Sequence, residues 1–222
     1  IILPVEFWIC KDMGENSVFL HICCGPCSLM PVMHLRKEGF EVTAFFFNPN
    51  IHPEEEYEFR RACAQLAAEK LDYPLVLAGE SQAPAKWIKA LNGITAEGER
   101  CVQCYRQRLL ATALEAKKRG FRFFTTSLLY SRYQHHEAIC REAEQVALET
   151  GVAFLYRDFR PYWYDGINLS KELGLYRQKW CGCLLSRKEA EILREKGWDE
   201  KLIHAVASHG WPRCSDVEPQ LE

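Results

Sequence analysis

Short apolar runs alternate with longer helical patterns along this chain, and this alternation constrains the fold more than any other feature. The runs Ser17–Ile22 and 41–47 are rich in β-branched and aromatic residues and are typical of strands. The segment Glu54–Leu71 is amphipathic, and its acidic start suits the dipole of a helix. Because strands separated by helices require crossover connections, the pattern predicts an α/β fold with a mostly parallel sheet.

The other predicted elements continue this alternation. They are helices at 28–39, 84–91, 101–119, 135–150 and 184–196, and strands at 73–77, 121–128 and 152–156. The segment 157–179 is rich in aromatic residues, and we interpret it as mainly loop. With no internal repeat or linker, we expect a single domain over residues 1–222, with a core at about 17–197 and a C-terminal tail at about 198–222.

The composition limits the function classes. Hydrophobic residues make up 48% and charged residues 26% of the chain, which is the balance of an ordinary globular protein. The net charge of -2 gives no general affinity for nucleic acid, so RNA binding needs a local basic face. No apolar run is long enough to span a membrane, and the first residues do not resemble a signal peptide. We therefore expect a cytoplasmic monomer.

Eleven cysteines are the outstanding feature of the composition. A secreted disulfide scaffold is usually shorter and has an even number of cysteines, so cytosolic thiols that bind metal fit better. Seven of the cysteines form three groups along the chain: Cys23, Cys24 and Cys27, then Cys101 and Cys104, then Cys181 and Cys183. Cys63 and Cys140 fall within predicted helices and are expected in the core, whereas Cys10 and Cys214 lie near the ends and are taken as incidental.

Each group has a local reason to bind metal. The first follows the first predicted strand, where backbone N–H groups and a helix dipole favour thiolates. Cys101 and Cys104 lie three residues apart at a helix start, so their sulfurs share one face. Gly182 lets the backbone pass close to a bulky cofactor, or Cys181 and Cys183 close an easily reduced disulfide.

Seven thiols exceed the four that a zinc ion or a [4Fe–4S] cluster needs. The surplus suits a second metal, a redox disulfide or both. A structural zinc site and a thioredoxin-like C-G-P-C pair are the alternatives, although the second leaves the other cysteines unexplained.

Polar and aromatic residues outside the cysteine groups are further candidates. Asn48 and His52 follow the second predicted strand, where His52 is a ligand, an acid or a turn-capping residue. A mixture of cations and rings suits looped RNA, or equally a cover over a metal site. This mixture comprises Arg157, Asp158, Arg160, Tyr162, Trp163, Tyr164, Tyr176 and Arg177. His135 and His136 are expected on a solvated surface.

Six motifs in order carry a specific resemblance: CCGPC, NPNIHP, ERCVQCY, FTTSLLYS, FLYRDFR and KELGLYRQKWCGC. Over about residues 17–187 the chain resembles the QueH family of epoxyqueuosine reductases. The resemblance implies a Rossmann-like fold related to the adenine-nucleotide α-hydrolase (HUP) group. It also implies a tRNA substrate carrying epoxyqueuosine, which is reduced to queuosine with a [4Fe–4S] cluster and an adjacent mononuclear iron, without cobalamin. The electron donor is not indicated.

The resemblance also implies roles for individual residues. We expect Cys24, Cys101, Cys104 and Cys183 to hold the cluster, and Cys23 and Cys27 to serve the second iron. Cys181 is then a ligand or redox partner, and Asp158 or Asp165 completes a shell or protonates the leaving oxygen. The expected contacts with the tRNA substrate are Asn48, His52, Arg132, Arg157, Arg160, Tyr176 and Arg177.

The segment RYQHHE departs from the family pattern, in which a stretch containing Pro and Lys is expected. Arg132 and Gln134 would have to hold RNA differently there. Three other functions are kept as alternatives. They are a zinc-stabilised RNA-binding module, an ATP-dependent tRNA thiolase and a thiol–disulfide oxidoreductase.

Overall fold

A computed structural model describes residues 14–78 and 84–195 of the chain. Five strands form one sheet in the order β3-β2-β1-β4-β5, and every neighbouring pair is parallel. The strands are β1 (Ser17–Ile22), β2 (Glu41–Phe46), β3 (Leu75–Leu77), β4 (Phe123–Thr126) and β5 (Ala153–Phe154). The prediction of an α/β fold with a mostly parallel sheet is confirmed.

Helices connect successive strands and flank the sheet. They are α1 (Gly25–Lys37), α2 (Glu54–Leu71), α3 (Pro84–Ala90), α4 (Glu99–Lys118), α5 (His136–Thr150), α6 (Trp163–Glu172) and α7 (Leu184–Glu195). A 3-10 turn, Ser127–Tyr130, continues directly from β4, and a second one, Arg160–Tyr162, precedes α6. None of the helices in the described part of the chain is both long and apolar enough to cross a membrane.

The strand order reverses between β1 and β4, next to the centre of the sheet. The chain moves from β1 outward to β2 and β3, and then returns to the other side of β1 for β4 and β5. In parallel sheets such a reversal leaves a crevice at the carboxyl ends of the strands, where ligands bind. The fold therefore predicts a site next to Cys23, which directly follows β1.

His21, near the end of β1, contacts residues at the carboxyl ends of the two neighbouring strands. Its Nδ1 lies 2.9 Å from Oγ1 of Thr126 on β4, and its Nε2 lies 3.3 Å from the carbonyl oxygen of Phe47, beyond β2. Burial and the charge of Arg108 lower its pKa to about 3, so the ring is neutral at physiological pH. A neutral ring can therefore donate from one nitrogen and accept at the other.

The interpretation of 157–179 as a loop is wrong, because α6 lies within it. Only Gly166 and Ser170 of this helix are buried, so no large, fully buried apolar side chain marks it in the sequence. Gly166 is required by packing, since a Cβ there would overlap the Tyr130 hydroxyl and would lie 2.9 Å from Met30. The missing side chain allows α6 to lie against the first 3-10 turn.

Two predicted helices begin earlier than expected, and this changes the placement of the thiols. Helix α1 begins at Gly25 and α4 at Glu99, so Cys27 and Cys101 both lie in first turns. The expected C-terminal tail, together with Cys10 and Cys214, lies outside the described residues.

Candidate metal centre

A cavity of about 680 Å³ opens at the carboxyl edge of the sheet and is reached by all three cysteine groups. Cys23 and Cys27 enter from the β1–α1 turn, Cys101 from the start of α4, and Cys181 from the segment before α7. The three segments thus meet at one edge, as the motifs predicted. All nine cysteines in the described part of the chain are free thiols, so the expected disulfide is not seen.

The sulfurs of Cys23, Cys24 and Cys27 form one compact group. All three lie within 4.8 Å of one another, and the Cys23 and Cys24 sulfurs are 3.8 Å apart. Hydrogen bonds from Cys24 and Cys27 lower the pKa of Cys23, whereas burial raises the pKa of Cys24. The group therefore favours a thiolate at Cys23, the form of cysteine that binds metal.

The other four grouped thiols come from the start of α4 and from the segment directly before α7. Burial raises the pKa of Cys101, and it raises that of Cys104 to about 12. Burial and the neighbouring Cys183 also raise the pKa of Cys181, whose sulfur lies 2.9 Å from Oγ of Ser186. Thiols that hold protons this strongly become thiolates when a bound cation replaces the protons.

Arg108 supplies a buried positive charge among these thiols. Its Nε donates to the carbonyl oxygen of Cys104 at 3.2 Å, and its charge partly opposes the burial that raises the pKa of the Cys104 thiol. The guanidinium forms no ion pair with any carboxylate in the described part of the chain. A buried cation normally has an anionic partner, so Arg108 fits a cavity that holds a negatively charged, thiolate-bound centre.

The Cys-Gly-Cys segment is held by a buried network from α2. Tyr176 donates to Oε2 of Glu56 at 2.6 Å, and Oε1 of Glu56 accepts from Nε of Arg60, also at 2.6 Å. Arg60 then donates to the carbonyl oxygens of Trp180 and Cys181. The segment is therefore fixed by its backbone, which leaves the cysteine sulfurs available for ligands.

A mixed group of possible metal ligands lies beside Cys101. The ligand atoms of Glu97, Cys101 and His135 are all within 4.8 Å of one another. Nε2 of His135 lies 2.6 Å from Oε1 of Glu97, and this hydrogen bond raises the pKa of His135. The histidine expected on a solvated surface is thus paired and lines the cavity.

The residues expected to contact RNA fall into two classes. Arg132 and Arg177 line the cavity, and the guanidinium carbon of Arg132 lies 4.9 Å from the centre of the Tyr164 ring. The other expected residues do not line it: Asn48, His52, Arg157, Arg160 and Tyr176. Asp158, expected as a catalytic residue, does not line it either. Arg157 pairs with Glu38, and Asp158 with Arg160. Whether any of these residues contacts RNA stays a prediction.

Sequence reasoning missed Glu97, Arg108 and Gln178. Arg108 had a signal, because it follows Cys104 by four residues and Cys101 by seven on one helix, which places all three on one face. Glu97 had one as well, because it precedes Cys101 by four residues. Gln178 had none, since only the packing of separate segments brings it to the sulfurs.

Fold and site together define a Rossmann-like α/β protein with a thiol-lined cavity suited to a metal centre. The chain belongs to the epoxyqueuosine reductase QueH family, whose model matches residues 18–189. The chain is accordingly an oxidoreductase of that family.

Curated relatives resemble the chain over most of its length. The epoxyqueuosine reductase QueH of Thermotoga maritima is 37% identical over 194 residues, covering 82% of this chain and 98% of the relative. That of Dehalococcoides mccartyi is 35% identical, covering 78% and 93%. That of Haemophilus influenzae is 32% identical, covering 85% and 79%.

Proposed function

We propose that this chain reduces epoxyqueuosine in tRNA to queuosine with an iron–sulfur centre in the thiol-lined cavity. The observation that carries this proposal is that Cys23, Cys101 and Cys181, from three distant segments, line one cavity in a chain of the QueH family. A purely structural zinc site needs four ligands and no cavity of this size beside it.

The reaction requires two electrons and two protons. Both carbon–oxygen bonds of the epoxide break, a carbon–carbon double bond forms between the two carbons, and the oxygen leaves as water. A bound iron centre would supply electrons one at a time and a Lewis-acidic position for the oxygen. The chain's own residues must therefore hold that centre, orient the epoxide towards it and limit access of water.

The donor set fits a [4Fe–4S] cluster with an adjacent mononuclear iron. Four thiols lie at the start of α4 and in the segment before α7, which is the number that one cluster needs: Cys101, Cys104, Cys181 and Cys183. We propose that these four hold the cluster and that the compact group of Cys23, Cys24 and Cys27 holds the second iron. This division moves Cys24 away from the cluster, to which the sequence assigned it.

The mouth of the cavity offers groups for a tRNA nucleotide. Arg132 lies over the Tyr164 ring, and Arg177 and Lys179 add positive charge. The centre of the Trp163 ring lies 5.1 Å from that of Tyr130 and 5.2 Å from that of Tyr133, which it meets edge-on. Rings and guanidinium planes of this kind stack on bases displaced from a helix. We propose that this face receives the modified nucleotide.

The proposal is tested with anaerobically reconstituted protein, a chemical reductant and tRNA that carries epoxyqueuosine. The product nucleoside is expected to lack one oxygen atom, measured by mass spectrometry. Cys101→Ser should abolish turnover and alter the visible spectrum, whereas Cys140→Ser, on α5 and outside the seven thiols, should change neither.

Full turnover and an unchanged spectrum in Cys101→Ser would overturn the assignment. A colourless wild-type protein with stoichiometric zinc and no turnover would favour the zinc-stabilised RNA-binding module instead.

A further inference from the structure

The side-chain amide of Gln178 contacts the first cysteine group from the opposite end of the chain. Its Nε2 lies 3.0 Å from Sγ of Cys24 and 3.3 Å from Sγ of Cys27. One amide group therefore points two N–H bonds at two sulfurs that are separated from it by more than 150 residues.

The direction of these hydrogen bonds suits sulfur that is ionised or bound to metal. A thiolate has no proton to donate and can only accept, and the two N–H bonds of an amide are donors. Hydrogen bonds to ligand sulfurs withdraw electron density from an iron centre and thereby raise its reduction potential. A pair of such bonds on two sulfurs of one group acts on the same metal.

The position of Gln178 is fixed from both sides. Two residues before it, Tyr176 bonds to the buried Glu56, and two residues after it, the carbonyl oxygen of Trp180 accepts from Arg60 at 2.8 Å. The side chain is half-buried and lines the cavity. Because the backbone is anchored at both neighbours, the amide is held against the sulfurs instead of moving freely in solvent.

We infer that Gln178 is a positioning residue that tunes the iron centre, by donating two N–H···S hydrogen bonds that stabilise its reduced state. This inference rests on the proposed function, since it assumes that Cys24 and Cys27 bind iron. It assigns to Gln178 an effect on the redox equilibrium that simple packing would not produce. The same segment carries Cys181 and Cys183, so Gln178 also connects the two sets of thiols.

The test compares midpoint potentials of anaerobically reconstituted wild type and three variants. Gln178→Met keeps the length of the side chain and removes the donors, and Gln178→Glu places a carboxylate against the sulfurs. In both, the reduced-to-oxidised ratio at fixed potential should fall at least about tenfold, which is about 59 mV for a one-electron couple. Gln65→Met removes an amide that bonds Arg61 on α2, and it should leave the potential unchanged.

Resonance Raman spectroscopy of the Fe–S stretching modes provides a second measurement. The wild-type bands should shift in deuterated water, and Gln178→Met should lose part of that shift. Unchanged potentials and bands in both Gln178 variants would overturn the inference and leave the proposed function standing. Failure of both variants to bind iron, with folded protein, would also overturn it, because Gln178 would then be needed for assembly. A wild type that takes up no iron would instead overturn the proposed function.

Discussion

The guanidinium of Arg60 donates a hydrogen bond of 3.1 Å to the backbone carbonyl oxygen of Cys181, which lies 121 residues further along the chain. The same guanidinium pairs with Glu56, and the two side chains are only 1% and 5% exposed. A buried ion pair on α2 therefore sets the position of the Cys-Gly-Cys segment. One wall of the proposed metal centre is therefore positioned by a helix whose own cysteine, Cys63, is not among the seven grouped thiols.

Arg60→Met should lower the free energy of unfolding by about 3–5 kcal/mol, because it leaves the Glu56 carboxylate buried without its partner. The double variant with Glu56→Gln should lose less, since no unpaired charge then remains. Chemical denaturation of the metal-free proteins measures both values. An equal or greater loss in the double variant would show that the ion pair is not the source of the effect.

Gly182→Ala should lower both stability and iron content, by more than the backbone strain of an alanine at positive φ alone would cause. Gly182 has φ of +106°, and a Cβ there would lie 2.8 Å from Cγ1 of Ile51. Gly174→Ala is the matched control, with φ of +64° and open space around it. We expect a loss of about 1–2 kcal/mol in the control and a larger loss, with reduced iron content, in Gly182→Ala. Equal stability and iron content in the two variants would contradict the proposed close packing.

Arg177 and Arg157 should differ in their contribution to tRNA binding, although the sequence predicted both as contacts. Arg177 lines the cavity, whereas Arg157 pairs with Glu38 outside it. Arg177→Ala should weaken binding and reduce the slope of log affinity against log salt by about one. Arg157→Ala should leave the slope nearly unchanged, as measured by fluorescence anisotropy over a salt series. The reverse pattern would place the RNA on the other face.

Asp158 should contribute to stability in a pH-dependent way. The hydrogen bond from Arg160 lowers the pKa of Asp158, so its contribution is present above its unfolded-state pKa and is lost as the pH falls through the folded value. Because the two side chains are 31% and 40% exposed, the contribution should stay below about 1 kcal/mol. Asp158→Asn should therefore be slightly less stable than wild type at pH 7 and equally stable in acid.

A constant difference at all pH values would contradict this account of the pair. Asp158 was expected from the sequence to protonate the leaving oxygen, but it does not line the cavity. Turnover by Asp158→Asn within about threefold of wild type, less than the loss typical for a general acid, is the result that its position predicts.

The sheet and the meeting of the thiols were accessible from the sequence because both follow from strand order. A strand that ends at Ile22 must deliver Cys23 to the carboxyl edge, and the start of α4 returns Cys101 to the same edge. Helix α6 was not predicted, since its two buried residues are Gly166 and Ser170 and no large apolar side chain on it is fully buried. A local sequence pattern predicts a helix or a strand well only when the buried apolar residues recur with the period of that element.

The partners of the sulfurs were largely beyond sequence reasoning. The spacing of Arg108 from Cys101 and Cys104 predicts that the three side chains share one face of α4. That Arg108 forms no ion pair with a carboxylate of the described residues is seen only in the folded chain. Glu97 lies four residues before Cys101 and could also have been placed by that spacing, whereas Gln178 reaches the sulfurs through a contact between segments that are far apart in the sequence. Such contacts depend on tertiary packing, which no local pattern encodes.

Anomalous diffraction at the iron edge, from crystals grown anaerobically, would locate any iron among the three cysteine groups. We expect iron in the cavity within bonding distance of sulfurs from all three groups, with a cluster on the Cys101 side and a separate ion beside Cys23. Iron bound to one group alone, or a cavity without iron in protein that turns over fully, would contradict the proposed metal centre.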